Sequence, residues 1–209
     1  MTTDPSRTAL LIIDMQNDTV HPDGAYASFG AADHAASQKV IVNVGAVLDA
    51  ARTAGAPVFH TRIVVYPVTG LGGANAPIFR MLAPDTFKVG SWGAAIVDEI
   101  TPRDGEVVID RIRMNAFGGT SLDIMLRNLG VTKVVAVGAW TNMAVEHTVR
   151  EAADRCYEVT VVSDATSSLN EDWQRAALGY ALTNIATIAT TADIVTSFRD
   201  QPEGQASKG

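Results

Sequence analysis

Thr8-Ala9-Leu10-Leu11-Ile12-Ile13-Asp14 is an apolar run that ends abruptly in an acid. It is short for a buried helix and lacks polar alternation, so it reads as a β-strand covered on both faces, as in parallel sheets. Residues 57–62, 106–111, 133–138, 158–163 and 185–190 repeat the pattern. Helical stripes lie between these runs. Val40, Ile41, Val44, Val47, Leu48 and Ala51 share one helix face, closed by Gly55 and Pro57. Leu122, Met125, Leu126 and Leu129 form a second stripe that stops at Gly130. Asn170 suits the cap of a third helix, with Glu171 and Asp172 in its first turn, and Trp173, Ala176, Ala177, Tyr180 and Ala181 on its buried face. This alternation predicts an α/β fold: a three-layer αβα arrangement around a doubly wound, six-stranded, mainly parallel sheet of Rossmann-like type. Residues 1–200 read as one domain, residues 66–84 as a long loop, and residues 201–209 as a frayed tail.

The composition limits what such a domain does. A chain of 209 residues with 47% apolar and 19% charged residues is ordinary globular material. The net charge of −7 and the lack of a basic run argue against a nucleic-acid partner. The apolar stretches are strand-sized, too short to span a membrane, and the opening residues lack the layout of a signal peptide. The single cysteine, Cys156, precludes an internal disulfide, fits a reducing cytoplasm, and reads as a buried or half-buried small residue.

Ligands of doubly wound sheets sit beyond the carboxyl ends of the strands. That rule selects Asp14, the Thr61-Arg62 region, Arg111 and the turn from Gly138 to Ala144. Apolar walls around Asp14 would raise its pKa and suit it to proton transfer; the alternative is an Asp that caps the next turn. In Gly138-Ala139-Trp140-Thr141-Asn142-Met143-Ala144, a helix starting near Asn142 would leave the Ala144 N–H in the first turn, where such donors lack helical partners. The alternative is a routine strand–helix turn. His21, His34, His60 and His147 show no ligand spacing, and Gly70-Leu71-Gly72-Gly73 reads as flexible loop.

The blocks from Ala9 to Asp18, Arg113 to Leu122 and Gly138 to Thr148, together with Asp164-Ala165, resemble the isochorismatase-like hydrolases, the cysteine-hydrolase superfamily. The resemblance covers roughly residues 8 to 198. It implies a catalytic Asp, Lys and Cys. Asp14 matches the Asp, Arg111 stands at the Lys position, and Ala144 stands at the Cys position. Alanine forms no thioester, so an acyl-enzyme is closed to this position. True isochorismatases of the resembled family also lack the cysteine and cleave a vinyl ether, with the Asp supplying a proton. The glutamine they offer after the second strand is replaced here by Thr61-Arg62-Ile63-Val64.

The resemblance therefore implies a hydrolase acting on a small, anionic metabolite by Asp-dependent acid/base chemistry. Arg111 would clamp the anion through its fork, although a cation beside Asp14 would lower that acid's pKa. Trp140, Thr141, Met143, Phe117 and Arg62 are the expected substrate contacts, and a cis peptide is expected in the turn before Thr141. Phe87 and Trp92 line either the pocket or a subunit contact. The alternatives are a disarmed pocket in a small-molecule-binding paralogue, and a cysteine amidohydrolase whose Cys has been replaced by Ala144. No cofactor is expected, and no metal, because the loop after the second strand lacks the histidines of the metal-binding relatives. Relatives form dimers or tetramers, so a homodimer or homotetramer is expected.

Overall fold

The computed structural model describes residues 4–82 and 85–200. In chain order it contains β1 (Thr8–Ile13), α1 (Asn17–Val20), α2 (Ala31–Ser37), α3 (Val40–Ala54), β2 (Val58–Ile63), α4 (Pro77–Arg80), β3 (Val107–Arg111), α5 (Leu122–Asn128), β4 (Lys133–Ala139), α6 (Glu146–Asp154), β5 (Glu158–Ser167), α7 (Glu171–Ala176), β6 (Thr187–Ala189) and α8 (Thr191–Arg199). Every strand pair is parallel and the order is β3-β2-β1-β4-β5-β6. The chain thus changes winding direction at the β1–β4 pair, which opens a crevice at their carboxyl ends.

β1 shows why its sequence decides the fold. Leu10 and Ile12 pack with Val44 and Leu48 of α3 and with Ile194 and Phe198 of α8. Ala9, Leu11 and Ile13 face the other way, onto Leu122 and Leu126 of α5 and Val149 and Ala152 of α6. Burying each Leu or Ile contributes roughly 1.5–3 kcal/mol, so a strand buried on both faces cannot alternate with polar residues. At its carboxyl end β4 crosses β1 closely: Gly138 has φ 118°, and a Cβ there would lie 2.0 Å from Ile13 O. Only glycine fits.

Some expectations change in detail. Asn170 does cap α7, accepting from Trp173 N at 3.0 Å. The buried face is Gln174, Ala177 and Leu182, however, while Trp173 and Tyr180 are 43% and 79% exposed. The helix continues as a π-type turn over Ala177–Ala181, and its inward stripe runs through Gln174 and Ala177, turning both aromatic rings outward. The long loop contains α4, and Leu129 is exposed. Cys156 is exposed, not buried, because it sits with φ 69° in the tight turn after α6. The segment 201–209, expected to fray, lies outside the described residues. Among the described residues no helix is long and apolar enough to cross a membrane.

A charged cluster ties α3 to the β2–β3 edge. Arg52 Nε and Nη2 donate to Glu106 at 2.6 and 3.1 Å, and His60 Nε2 lies 3.0 Å from Glu106 Oε2. Burial would raise the Glu106 carboxyl, but hydrogen bonds from Arg52, the Arg103 N–H and His60 outweigh it and hold it at about 2. Burial lowers His60, against the pull of Glu106. Both groups bind protons more weakly folded than unfolded. Stability is therefore complete above about 6.5, the ordinary value of His60, and falls as acid is added through 4.5 toward about 2. Glu106→Gln is expected to cost about 1–2 kcal/mol at neutral pH in urea denaturation, since nearby water screens the pair, and to flatten that acid limb. An equal loss at both ends of the titration would contradict the assignment.

Candidate active site

Asp14 directly follows β1, takes φ 50°, and anchors its N–H to Thr61 O at 2.9 Å. Arg111 ends β3, two strands away across β2, a span of roughly 10 Å that a long side chain can bridge. Its Nη2 donates to Asp14 Oδ2 at 2.7 Å, and its Nη1 donates to Arg113 O. Asp14 and Arg111 are 5% and 3% exposed. Burial holds the Asp14 carboxyl above its usual range, with the Arg111 guanidinium pulling it back. Of the two opposed expectations for this acid, raised by apolar walls or lowered by the cation, the first holds: desolvation outweighs the ion pair. The other oxygen, Oδ1, has no hydrogen-bond partner.

Each terminal nitrogen of Arg111 makes one hydrogen bond within the protein, one to the carboxylate and one to a backbone carbonyl, while its Nε has no hydrogen-bond partner.

The turn after β4 begins with a cis peptide between Ala139 and Trp140. A π-type turn, Thr141–Val145, then leads into α6, and Trp140 O accepts from both Met143 N and Val145 N. Gln174 of α7 locks this turn: Thr141 Oγ1 donates to Gln174 Oε1 at 2.5 Å, while Gln174 Nε2 donates to Thr166 O and Ser163 O at 3.1 and 3.2 Å. Ser168 Oγ donates to Asn142 Oδ1.

Asp14, Trp140, Met143 and Ala144 line one small cavity of about 30 Å³. No cysteine is among its lining residues. Arg111 supports it from behind through Asp14. Thr141 is fully buried but spends its hydroxyl on Gln174. Phe117 lies outside the cavity: it packs on the opposite core face and stacks on Tyr157, with centroids 5.9 Å apart. Arg62 is also outside, held by Asp110 at 2.7 and 2.9 Å on the strand edge. For Arg62, alternation along β2 aims the side chain away from the crevice.

Several wall residues carry no local signature. Thr19 and Tyr26 come from the segment after β1, Ile63 ends β2, and Ile78 and Leu82 descend from the long loop. Phe87, left between two roles by the sequence, lines the cavity and stacks on Tyr26 at 5.5 Å. Trp92 instead meets His21 edge-on at 5.0 Å. Gln16 is buried completely and clamps the rim, donating to Ile63 O and Ala94 O and accepting from Ile63 N, each at 2.9 Å. Its place in the first sequence block was the only available signal.

Comparison with known proteins places these residues in context. A sequence model of the isochorismatase domain matches residues 8–193. The chain is 32% identical over 217 residues to the ureidoacrylate amidohydrolase RutB of Pseudomonas savastanoi pv. phaseolicola, covering 97% of this chain and 87% of the relative. It is 31% identical over 199 residues to RutB of Rhizobium rhizogenes, covering 86% of this chain and 78% of the relative. A crystal structure of a cysteine hydrolase from Pseudomonas syringae pv. phaseolicola superposes with TM-score 0.84 at 24% identity over 95% of both chains, a likeness of fold. That of N-carbamoylsarcosine amidase from Thermoplasma acidophilum superposes with TM-score 0.70 at 27% identity, covering 95% of this chain and 99% of that one.

Removing the cation would strand a buried carboxylate. Arg111→Met is expected to lose about 3–5 kcal/mol at neutral pH. The loss should shrink on acidification, because a protonated Asp14 needs no counter-charge. Chemical denaturation at neutral and acidic pH checks this, and a pH-independent loss would refute it.

Proposed function

This chain belongs to the isochorismatase family of hydrolases, and from that premise we propose that it hydrolyses a small molecule without a sulfur nucleophile, using Asp14 as the proton-transferring group. The observation that carries the reading is the free Oδ1 of Asp14, buried in a cavity it shares with Ala144 and no cysteine. The chain's one cysteine, Cys156, is exposed in the turn after α6.

The cavity is large enough for about two waters at most. A water beside the Ala144 methyl would occupy the volume a thiol would otherwise fill. Asp14 Oδ1 takes a proton from that water as its oxygen attacks a carbonyl carbon, and returns the proton to the departing group. Arg111 holds the carboxylate in place and stabilises its charge. The Ala144 backbone N–H is assigned to the developing oxyanion. The names of the relatives, amidohydrolase and amidase, favour a C–N bond as the one that breaks.

A second reading is favoured by the elevated Asp14 carboxyl. A protonated Asp14 would serve as an acid, as cleavage of a vinyl ether requires. The two readings have opposite pH dependence: turnover rises through the Asp14 titration if it acts as base, and falls if it acts as acid.

Asp14→Asn is expected to lower turnover by about 10²–10⁴-fold; it also leaves the buried Arg111 cation without its counter-charge and costs about 3–5 kcal/mol, so turnover is compared on folded protein well below the thermal midpoint. Undiminished turnover would remove Asp14 from the mechanism. Ala144→Cys combined with Arg111→Lys, screened on amides, separates a disarmed cysteine hydrolase from a site shaped for water. Rapid quenching detects an acyl-enzyme in the first case alone.

A further inference from the structure

The cavity beside Asp14 is walled on one side by Ile78 and Leu82 of the long loop. Its volume of about 30 Å³ stands against roughly 300–1,000 Å³ for ordinary small-molecule pockets, so a metabolite fits only if a wall moves. An adjoining groove has about 400 Å³. Ile78, Met114 and Met143 line both spaces and so divide them. Of these three, Ile78 alone belongs to the loop.

Residues 66–82 hang from a short bridge. Val65 donates its N–H to Phe87 O at 2.8 Å and accepts from Val89 N at 3.0 Å. Beyond it, the backbone of the segment bonds to itself, as in Leu71 N to Val68 O, Gly73 N to Gly70 O and Met81 N to Pro77 O. Gly70, at φ 81°, has open space around it and gives the backbone a point to pivot. Tyr66, Val68, Leu71 and Met81 are exposed, so little apolar surface anchors the segment. Among the described residues, the hydrogen bonds that tie it to the rest of the protein come from one side chain. Arg113 Nη1 donates to Gly72 O at 2.8 Å, Nη2 donates to Asn75 Oδ1 at 2.9 Å, and the guanidinium lies 4.1 Å from the Phe79 ring centroid. A segment with few buried contacts and a single polar tether opens at low cost in free energy. The root of that tether is firm, because Arg113 O accepts from Arg111 Nη1 of the buried pair.

We propose that residues 66–82 form a lid over the Asp14 cavity with Arg113 as its latch, and that release of the Arg113 contacts withdraws Ile78 and joins cavity and groove into one substrate-sized space. Arg113 is thereby a positioning residue, acting on access through the lid and touching none of the reacting atoms. Its part in substrate entry rests on the reading of the Asp14 cavity as the reaction site.

A thiol placed in the cavity reports the motion of the lid without any substrate. Ala144→Cys puts one there, and Cys156→Ser removes the exposed native thiol. N-phenylmaleimide is uncharged and too large for the closed cavity, so its rate of reaction measures opening. In this background Arg113→Gln should speed labelling about tenfold, while amide hydrogen exchange rises in residues 66–82 and stays unchanged in β1 and β4. Loss of a nearby cation would by itself raise the thiol pKa and slow labelling, so electrostatics cannot imitate the gain. Asn75→Asp makes one latch bond charge-assisted and should slow labelling about threefold, an effect that vanishes when Arg113→Gln is added. Labelling indifferent to either substitution, or as fast in the background alone as at an exposed thiol, would overturn the proposal. So would a gain accompanied by faster exchange throughout the sheet, which would make Arg113 a part of general stability. Opening that follows the latch in a protein without hydrolytic activity would uphold the lid and refute the hydrolytic reading. Turnover lost in Asp14→Asn, with labelling indifferent to Arg113→Gln, would do the reverse.

Discussion

The buried contact between Arg111 Nη2 and Asp14 Oδ2 is the constraint on which the carboxyl edge of the sheet depends. Its partners come from strands separated by β2, so it forms only when three strands share one register. That register pairs Ile13 with Thr61 and Ile63 with Arg111. The backbone of Asp14 also leaves the strand conformation at φ 50°, a region uncommon outside glycine, where the surrounding hydrogen bonds must hold it. Two buried opposite charges stabilise little by themselves, since desolvation offsets most of their attraction. What they provide is a fixed carboxyl with one oxygen spent and one left over.

The surrounding shell makes that arrangement rigid. Gln16 staples the end of β2 to Ala94 O, and Gln174 holds the turn carrying Ala144 against β5. Asp18 accepts from Ala25 N and Phe87 N at 3.1 and 2.7 Å, fixing the ring that forms one cavity wall. The packing beside it is close: a Cβ on Gly93 would lie 2.3 Å from Asp18 Oδ2. Each of these side chains is nearly or fully buried and spends its polar atoms on backbone or a neighbouring turn. None is left over to contact a ligand.

The electrostatic balance at Asp14 sets burial, which raises the carboxyl, against the nearby arginine, which lowers it. The structure gives a raised carboxyl, because the pair is sealed from water, and the guanidinium also answers to Arg113 O. Lysine would bring a compact charge with rotatable donors; arginine brings a planar fork that fits two fixed acceptors at once.

The doubly wound fold was legible in the sequence because strands buried on both faces and amphipathic helices leave strong, local hydrophobic patterns. Asp14, Trp140, Met143 and Ala144 could be assigned to one crevice because that fold fixes which strand ends meet there. The cavity's far wall, the bond from Arg111 to Arg113 O, the outward turn of Trp173 and the distance of Phe117 and Arg62 from the crevice were decided only by tertiary structure. They depend on side-chain direction and on contacts between segments remote in the chain, such as Asp18 with Phe87 and Arg111 with Asp14. Hydrophobic periodicity reports which face of an element is buried. It carries no information on which distant residue waits on the other side.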